Sequence, residues 1–204
     1  MFISRLFSDP TMFFTIIIVV GLSVCIHEFC HAYAALKCGD PTAARMGHLT
    51  LNPLKQMGVI SIIMLLLLGI CWGSVPVNPG NLDRKKRIFV SLAGPLANLG
   101  LFAIGVIGSV IFIKFGNVAG LKLTVIFATL NMVLFMINIA PVPGFDGGSV
   151  FMELVGQEKL YSSELGKGFM LASFLVLFYL IDYIFHWANA ATVKAVTVLG
   201  NLVV

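Results

Sequence analysis

The sequence predicts an all-α membrane protein, a polytopic helix bundle with about four spanning helices and one re-entrant segment. Hydrophobic residues make up 59% of the chain and charged residues only 11%, whereas a soluble domain has about 25% charged residues. Several apolar runs reach the roughly 20 residues that a membrane-crossing helix needs. Basic residues stand at the ends of these runs, as the positive-inside rule expects, and form no stripe suited to nucleic acid.

We expect one integral membrane domain over residues 1–204, with a core at about 11–150 and C-terminal helices at 165–204. The N-terminal apolar run continues into the polar residues described next, so we expect it to be retained rather than cleaved. The four cysteines show no CxxC spacing, and therefore neither a disulfide framework nor a cysteine metal site is expected.

The first span, at about 11–36, contains the sequence His-Glu-Phe-Cys-His at residues 27–31. On a helix, His27 and His31 lie one turn apart on one face, so both imidazoles can reach one metal ion. Glu28 stands beside them, where it could take a proton from a metal-bound water. Ionisable residues within a spanning helix are costly and usually functional. The alternative is a polar network in which these side chains pack against another helix.

The region that follows the first span is polar at first and then apolar but short. Residues 45–53 alternate in character, which predicts either a short strand that could pair with an extended peptide or a plain structured loop. A helix over 58–73 would cover about 24 Å, less than the hydrocarbon thickness of about 30 Å. A loop rich in proline and glycine follows at 74–80, before the basic cluster at 84–87, which we interpret as a cytoplasmic topology signal.

Further spans are predicted at 88–113, at 121–140 and at 169–187, the last with His186 and Trp187 at an interface. The second of these ends in a stretch rich in proline and glycine, which indicates an irregular helix end. Residues 149–164 are mixed in character and polar. The final residues, 189–204, are predicted to be either an interfacial helix or a short additional membrane segment.

A catalytic zinc ion normally has three protein ligands and one open position, so a third ligand is needed. Asp146 fits best, because it follows the irregular end of an apolar span. Its alternative is an ordinary Asp-Gly turn. His48 in a polar loop and His186 at an interface are less suited to the site.

The predicted hairpin of spans 88–113 and 121–140 places Arg87 and Asp146 on the same side of the membrane. If Asp146 is to meet His27 in the first span, that span must start outside the cell and end inside. The region between the two spans then begins and ends on the cytoplasmic side. The short segment 58–73 is therefore expected to enter the membrane and return.

Together these motifs resemble the site-2 protease family of intramembrane zinc metalloproteases, in its compact bacterial and archaeal branch without PDZ or CBS domains. The resemblance covers roughly residues 20–150 and rests on a set of short motifs: His27-Glu28-Phe29-Cys30-His31, Gly39-Asp40-Pro41-Thr42-Ala43, Leu49-Thr50-Leu51-Asn52-Pro53, Ala93-Gly94-Pro95-Leu96-Ala97-Asn98 and Asn138-x-x-Pro141 followed by Asp146-Gly147. The chain departs from the branch at His48, where arginine is frequent.

The resemblance implies that His27, His31 and Asp146 bind one zinc ion and that Glu28 is the general base. Asn138 would hold the substrate or the oxyanion, or alternatively cap the helix end. The implied substrate is a transmembrane segment of another protein in the lipid bilayer of the inner cell membrane. Water would reach the zinc from the cytoplasmic side.

Two other functions fit the sequence less well. A catalytically silent, metal-binding membrane chaperone, or pseudoprotease, would have no use for the base Glu28. A metal transporter would need ionisable residues along its other spans, and 88–113 and 121–140 carry almost none. Both are therefore less favoured than a protease.

Overall fold

The computed structural model describes residues 2–155 and 164–203, which form helices joined by short loops. Three of the described helices are long and apolar enough to cross a membrane, and a bent helix pair raises the number to four if it counts as one span. The helices are α1 (Arg5–Ser8), α2 (Pro10–Cys38), α3 (Thr42–Arg45), α4 (Pro53–Gln56), α5 (Gly58–Leu68), α6 (Arg84–Lys114), α7 (Val118–Ile139), α8 (Asp146–Val155), α9 (Glu164–Tyr179) and α10 (Ile181–Val203).

Helix α2 is the predicted first span, and local chemistry defines both of its ends. Asp9 accepts a hydrogen bond from the Met12 amide, and Pro10 occupies the first turn, where its missing N–H is not needed. Gly39 ends the helix in the left-handed conformation, with a φ of 104°. The motif at 27–31 thus lies inside a continuous helix of 29 residues, in its C-terminal half.

Helices α6 and α7 form the predicted antiparallel hairpin. They approach closely at Gly105, where a Cβ atom would meet the backbone of Ala128. Ser109 Oγ donates to the Gly105 carbonyl and to Thr124 Oγ1 across the hairpin. Helix α6 continues through Pro95 without interruption.

The segment at 58–73 folds back on itself, as a re-entrant element must. Helix α5 runs back along α2 and is capped by Gly69, after which the chain returns without regular secondary structure. The Ser61 hydroxyl donates to the Trp72 carbonyl and accepts from the Trp72 amide. The Ser74 amide donates to the Gln56 carbonyl at 3.1 Å, so the segment ends next to where it began. We call residues 70–78 the return segment.

Asp40 fixes the end of the return segment to the end of α2. Its fully buried carboxylate accepts hydrogen bonds from the amide of Asn78, the side chain of Asn81, and the amide and hydroxyl of Thr42. Burial alone would raise the pKa of Asp40, but these hydrogen bonds lower it to about 2.

Of the two alternatives for residues 45–53, the structure has the loop. Residues 46–52 form turns and bends, and no strand occurs in the ranges that the structure describes. The Gln56 side chain donates to the carbonyls of His48 and Thr50. In a strand these carbonyls would instead accept hydrogen bonds from a neighbouring strand. Leu49 and Leu51 are both exposed.

The C-terminal helices differ from the predicted boundaries. The expected span at 169–187 contains a 53° bend between α9 and α10, and α10 then continues without a break through Trp187. The reason is packing: Ala188, Thr192 and Val196 recur every fourth residue and are buried. Thr129 of α7 donates to Thr192 at 3.2 Å. Of the polar stretch at 149–164, residues 149–155 belong to α8, and residues 156–163 lie outside the described part of the chain.

Candidate metal centre

The three residues predicted as metal ligands meet at one point. His27 and His31 project from one face of α2, with their Nε2 atoms 3.0 Å apart. Asp146 reaches His27 Nε2 through Oδ2 at 3.0 Å and His31 Nε2 through Oδ1 at 3.2 Å. The candidate ligand atoms all lie within 4.8 Å of one another. Two imidazoles and one carboxylate are a donor set found in catalytic zinc sites.

Hydrogen bonds on the far side of each imidazole assign its tautomer. His31 Nδ1 lies 2.7 Å from the Val90 carbonyl, which can only accept, so Nδ1 carries the proton. For His27 the partner is Asn98 Oδ1, at 2.6 Å. The Asn98 amide is itself oriented, because its Nδ2 donates to Asn131 Oδ1 and Asn131 Nδ2 donates to the Phe127 carbonyl.

With both Nδ1 atoms protonated, the Nε2 atoms of the neutral rings present lone pairs to each other and to Asp146. Asp146 Oδ2 is buried and accepts no hydrogen bond among the described residues. Several electron-pair donors that face one buried point without a proton between them are mutually repulsive. A divalent cation relieves this arrangement, so the geometry fits a metal ion.

Two glycines leave the space that this site needs. At Gly94 of α6, a Cβ atom would collide with Nε2 of both His27 and His31. At Gly73, in the return segment, a Cβ atom would collide with the carboxylate of Glu28. In the sequence, Gly94 appears only as part of the motif at 93–98, and Gly73 has no predicted role. For Gly94, the signal in the sequence was a glycine inside an apolar span, which indicates close approach of another group.

Glu28 is buried on α2 and lines the same cavity as His27, His31 and Asp146. The return segment packs against it through Gly73, so the re-entrant element borders the candidate base directly. This contact between distant parts of the chain was not expected from the sequence.

Asp146 reaches the site because the chain between α7 and α8 is irregular. Gly144 adopts a φ of 92° there, a conformation that favours glycine. Gly147 and Gly148 let the first turn of α8 pack directly on the carbonyls of Ile139 and Val142. Asp146 is the first residue of α8 and therefore points back toward α2.

The remaining candidates from the sequence are placed differently. Asn138 lines the cavity, and its Nδ2 donates to the Leu134 carbonyl one turn earlier, so this amide nitrogen is bonded within its own helix. His48 lies beside Gln56, and His186 is exposed on α10. Neither histidine belongs to the group formed by His27, His31 and Asp146.

A cavity of about 2420 Å³ opens at the centre. This volume exceeds the roughly 300–1,000 Å³ of a small-molecule site, and it is large enough for a segment of polypeptide. Its walls are mainly apolar and come from α2, the return segment, α6, α7, α8, α9 and α10, with Val20, Leu134, Phe174, Phe178 and Phe185 among the lining residues.

Comparisons with known proteins agree with this chemistry. Residues 15–123 match the model of peptidase family M50, a range that includes the motif at 27–31 but not Asp146. The chain is 34% identical over 179 residues to "Putative zinc metalloprotease YwhC" of Bacillus subtilis, which covers 80% of this chain and 79% of that protein.

Two mycobacterial relatives are also similar. The identity to "Putative zinc metalloprotease Rip2" is 28% for Mycobacterium tuberculosis, covering 80% of this chain and 66% of that protein. The identity is 32% for the protein of the same name from Mycolicibacterium smegmatis, covering 65% of this chain and 54% of that protein. No solved structure matches. The chain belongs to peptidase family M50, the site-2 proteases, and is a multi-pass membrane zinc metallopeptidase.

Proposed function

We propose that this protein hydrolyses peptide bonds within or near transmembrane segments of membrane-protein substrates. In this proposal His27, His31 and Asp146 hold one zinc ion, and Glu28 is the general base. The observation that carries it is the convergence of the three donor groups on a cavity with apolar walls, between helices of membrane-spanning length.

The bound zinc would supply a Lewis acid that activates a water molecule at neutral pH and polarises the scissile carbonyl. Glu28 takes the proton from that water and delivers it to the leaving amine. Gly73 confines the Glu28 carboxylate, so its position is set before the substrate arrives. The bonds from Asn98 and the Val90 carbonyl hold His27 and His31 in the tautomer that presents Nε2.

The substrate must be locally extended at the site, because the peptide bonds of a helix are shielded by their own hydrogen bonds. The apolar cavity would receive side chains that leave the lipid, and Asn138 would contact the substrate backbone or the developing oxyanion. We assign the Arg84 end of α6 to the cytoplasmic face of the inner cell membrane because the basic cluster lies there. Water then enters from that face.

The test is cleavage of a membrane-spanning peptide by the purified protein in lipid nanodiscs with zinc. Glu28→Gln should abolish cleavage while zinc stays bound, and a chelator should abolish it until zinc is returned. His186→Gln is the matched control, since this histidine is exposed and does not line the cavity. Cleavage that persists in Glu28→Gln would refute the mechanism. Zinc and peptide binding without cleavage would instead identify a pseudoprotease.

A further inference from the structure

Helix α8 has the candidate ligand Asp146 at its N-terminal end and hydrogen bonds to arginines of α6 at its C-terminal end. Asp146 is its first residue, and Glu153 lies two turns later on the same face. Glu153 pairs with Arg87 of α6, with Nε to Oε1 at 2.6 Å and Nη2 to Oε2 at 3.0 Å. Arg84 adds a bond from Nη2 to the Leu154 carbonyl at 2.8 Å, at the C-terminal end of α8.

This pairing has the geometry of a structural contact rather than of loose surface charge. Both nitrogens of one guanidinium edge bind both carboxylate oxygens, an arrangement that fixes orientation as well as distance. The side chains are 32% and 24% exposed, so solvent screens them only in part. Their neighbours Lys85 and Lys86 are exposed. A role of the basic cluster as a topology signal alone does not account for this paired contact.

Helix α8 needs an external support because it is short and its entry is irregular. It has 10 residues, and a helix of that length is marginal without tertiary contacts. It packs mainly on α6, and its N-terminal side joins the stretch that contains Gly144. An error in its tilt would move Asp146 away from the histidines of α2, since Asp146 lies at the opposite end from the arginines.

Arg87 also contacts the other part of the site. Its Nη1 donates to the Leu82 carbonyl at 2.8 Å, in the loop that Asp40 holds through Asn78 and Asn81. That loop continues from the return segment, which packs on Glu28 through Gly73. The Arg87 guanidinium therefore joins α8, which carries the third candidate ligand, to the loop that continues from the return segment beside Glu28.

We propose that Arg87 and Glu153 form a clamp that seats α8 so that Asp146 faces His27 and His31. Both are positioning residues for the metal site, and the clamp rests on the proposed assignment of the three ligands. It gives part of the basic cluster a role in metal affinity.

The experiment measures zinc affinity of the purified full-length protein by competition with a chelating dye. Arg87→Gln and Glu153→Gln should each weaken zinc binding about tenfold, the lower end of what loss of a group hydrogen-bonded directly to a ligand costs. The double variant should bind zinc as tightly as the single variant of lower affinity, because both changes remove the same contact. Lys85→Gln is the matched control and should bind zinc like the parent. With Co²⁺, the single variants should show an altered visible spectrum, which reports the changed ligand set.

Unchanged zinc affinity and an unchanged Co²⁺ spectrum in folded Glu153→Gln would overturn the clamp. If the glutamine variants do not fold, Arg87→Lys decides, since it keeps the charge but loses the paired bonds: weaker zinc binding supports the clamp, and parental binding refutes it. Cleavage is measured separately. A parent that binds zinc but cleaves nothing would refute the proposed function and leave the clamp standing.

Discussion

Asn98 accepts a hydrogen bond from Nδ1 of His27 at 2.6 Å, and this bond directs Nε2 of the same ring toward Asp146. The two residues stand on different spanning helices. Asn98 is fully buried and is oriented in turn by Asn131. The orientation of the imidazole is thus set by a chain of amides in the interior of the bundle.

Replacing Asn98 with Ala should lower zinc affinity about 10- to 100-fold, because His27 loses the partner that fixes its tautomer. Asn131→Ala should have a smaller effect in the same direction, since it acts through Asn98. Dye competition measures both. Asn201→Ala, at an exposed position of α10, is the control. Parental zinc affinity in folded Asn98→Ala would contradict the role of this bond.

Gly94→Ala should abolish zinc binding and cleavage, because the added methyl group occupies the space beside both Nε2 atoms. The fold should survive, since alanine favours a helix over glycine by about 0.5–1 kcal/mol. Gly100→Ala in the same helix meets nothing within 4 Å and should leave activity unchanged. Zinc content by mass spectrometry and thermal unfolding separate the two effects, and a Gly94→Ala protein with full zinc content would disprove the prediction.

Gly73→Ala should reduce cleavage strongly while zinc stays bound. The added methyl group displaces the Glu28 carboxylate, because its three nearest heavy atoms all belong to Glu28. The variant should therefore behave like Glu28→Gln in the nanodisc assay and unlike Gly94→Ala in zinc content. If Gly73→Ala cleaves at the parental rate, the return segment does not position the base.

Asp40→Asn should destabilise the protein at neutral pH, because an amide cannot accept the four hydrogen bonds of the carboxylate. The pKa of Asp40 is lowered to about 2 in the folded state. Its contribution to stability is therefore complete above the ordinary pKa of about 3.9 and is lost as the pH falls toward 2.

The difference in unfolding temperature between the parent and Asp40→Asn should accordingly be constant above about pH 5 and shrink toward pH 2. Thermal unfolding in detergent across this range measures it. Asp182→Asn replaces an exposed carboxylate on α10 and should leave the unfolding temperature at neutral pH unchanged. If the difference in unfolding temperature grew as the pH fell, it would contradict the predicted loss of stabilisation by Asp40.

The sequence by itself determined the spans, the pairing of His27 with His31 and the candidacy of Asp146. These follow from local rules: a helix repeats every 3.6 residues, a membrane requires a minimum length, and proline with glycine ends a helix. The shortness of 58–73 likewise indicated a returning segment, and the structure has it. The predicted boundary at Trp187 was wrong because no local residue marks the contact of Thr192 with α7.

Only the tertiary structure decided what surrounds the site. The contacts from His27 to Asn98, from His31 to Val90 and from Arg87 to Glu153 join residues 71, 59 and 66 positions apart. Local periodicity does not indicate which residues come into contact at such separations. The contacts of Gly94 and Gly73 were hidden for the same reason: a glycine in the sequence shows that a side chain is absent, and only the packed bundle shows which atoms occupy its place.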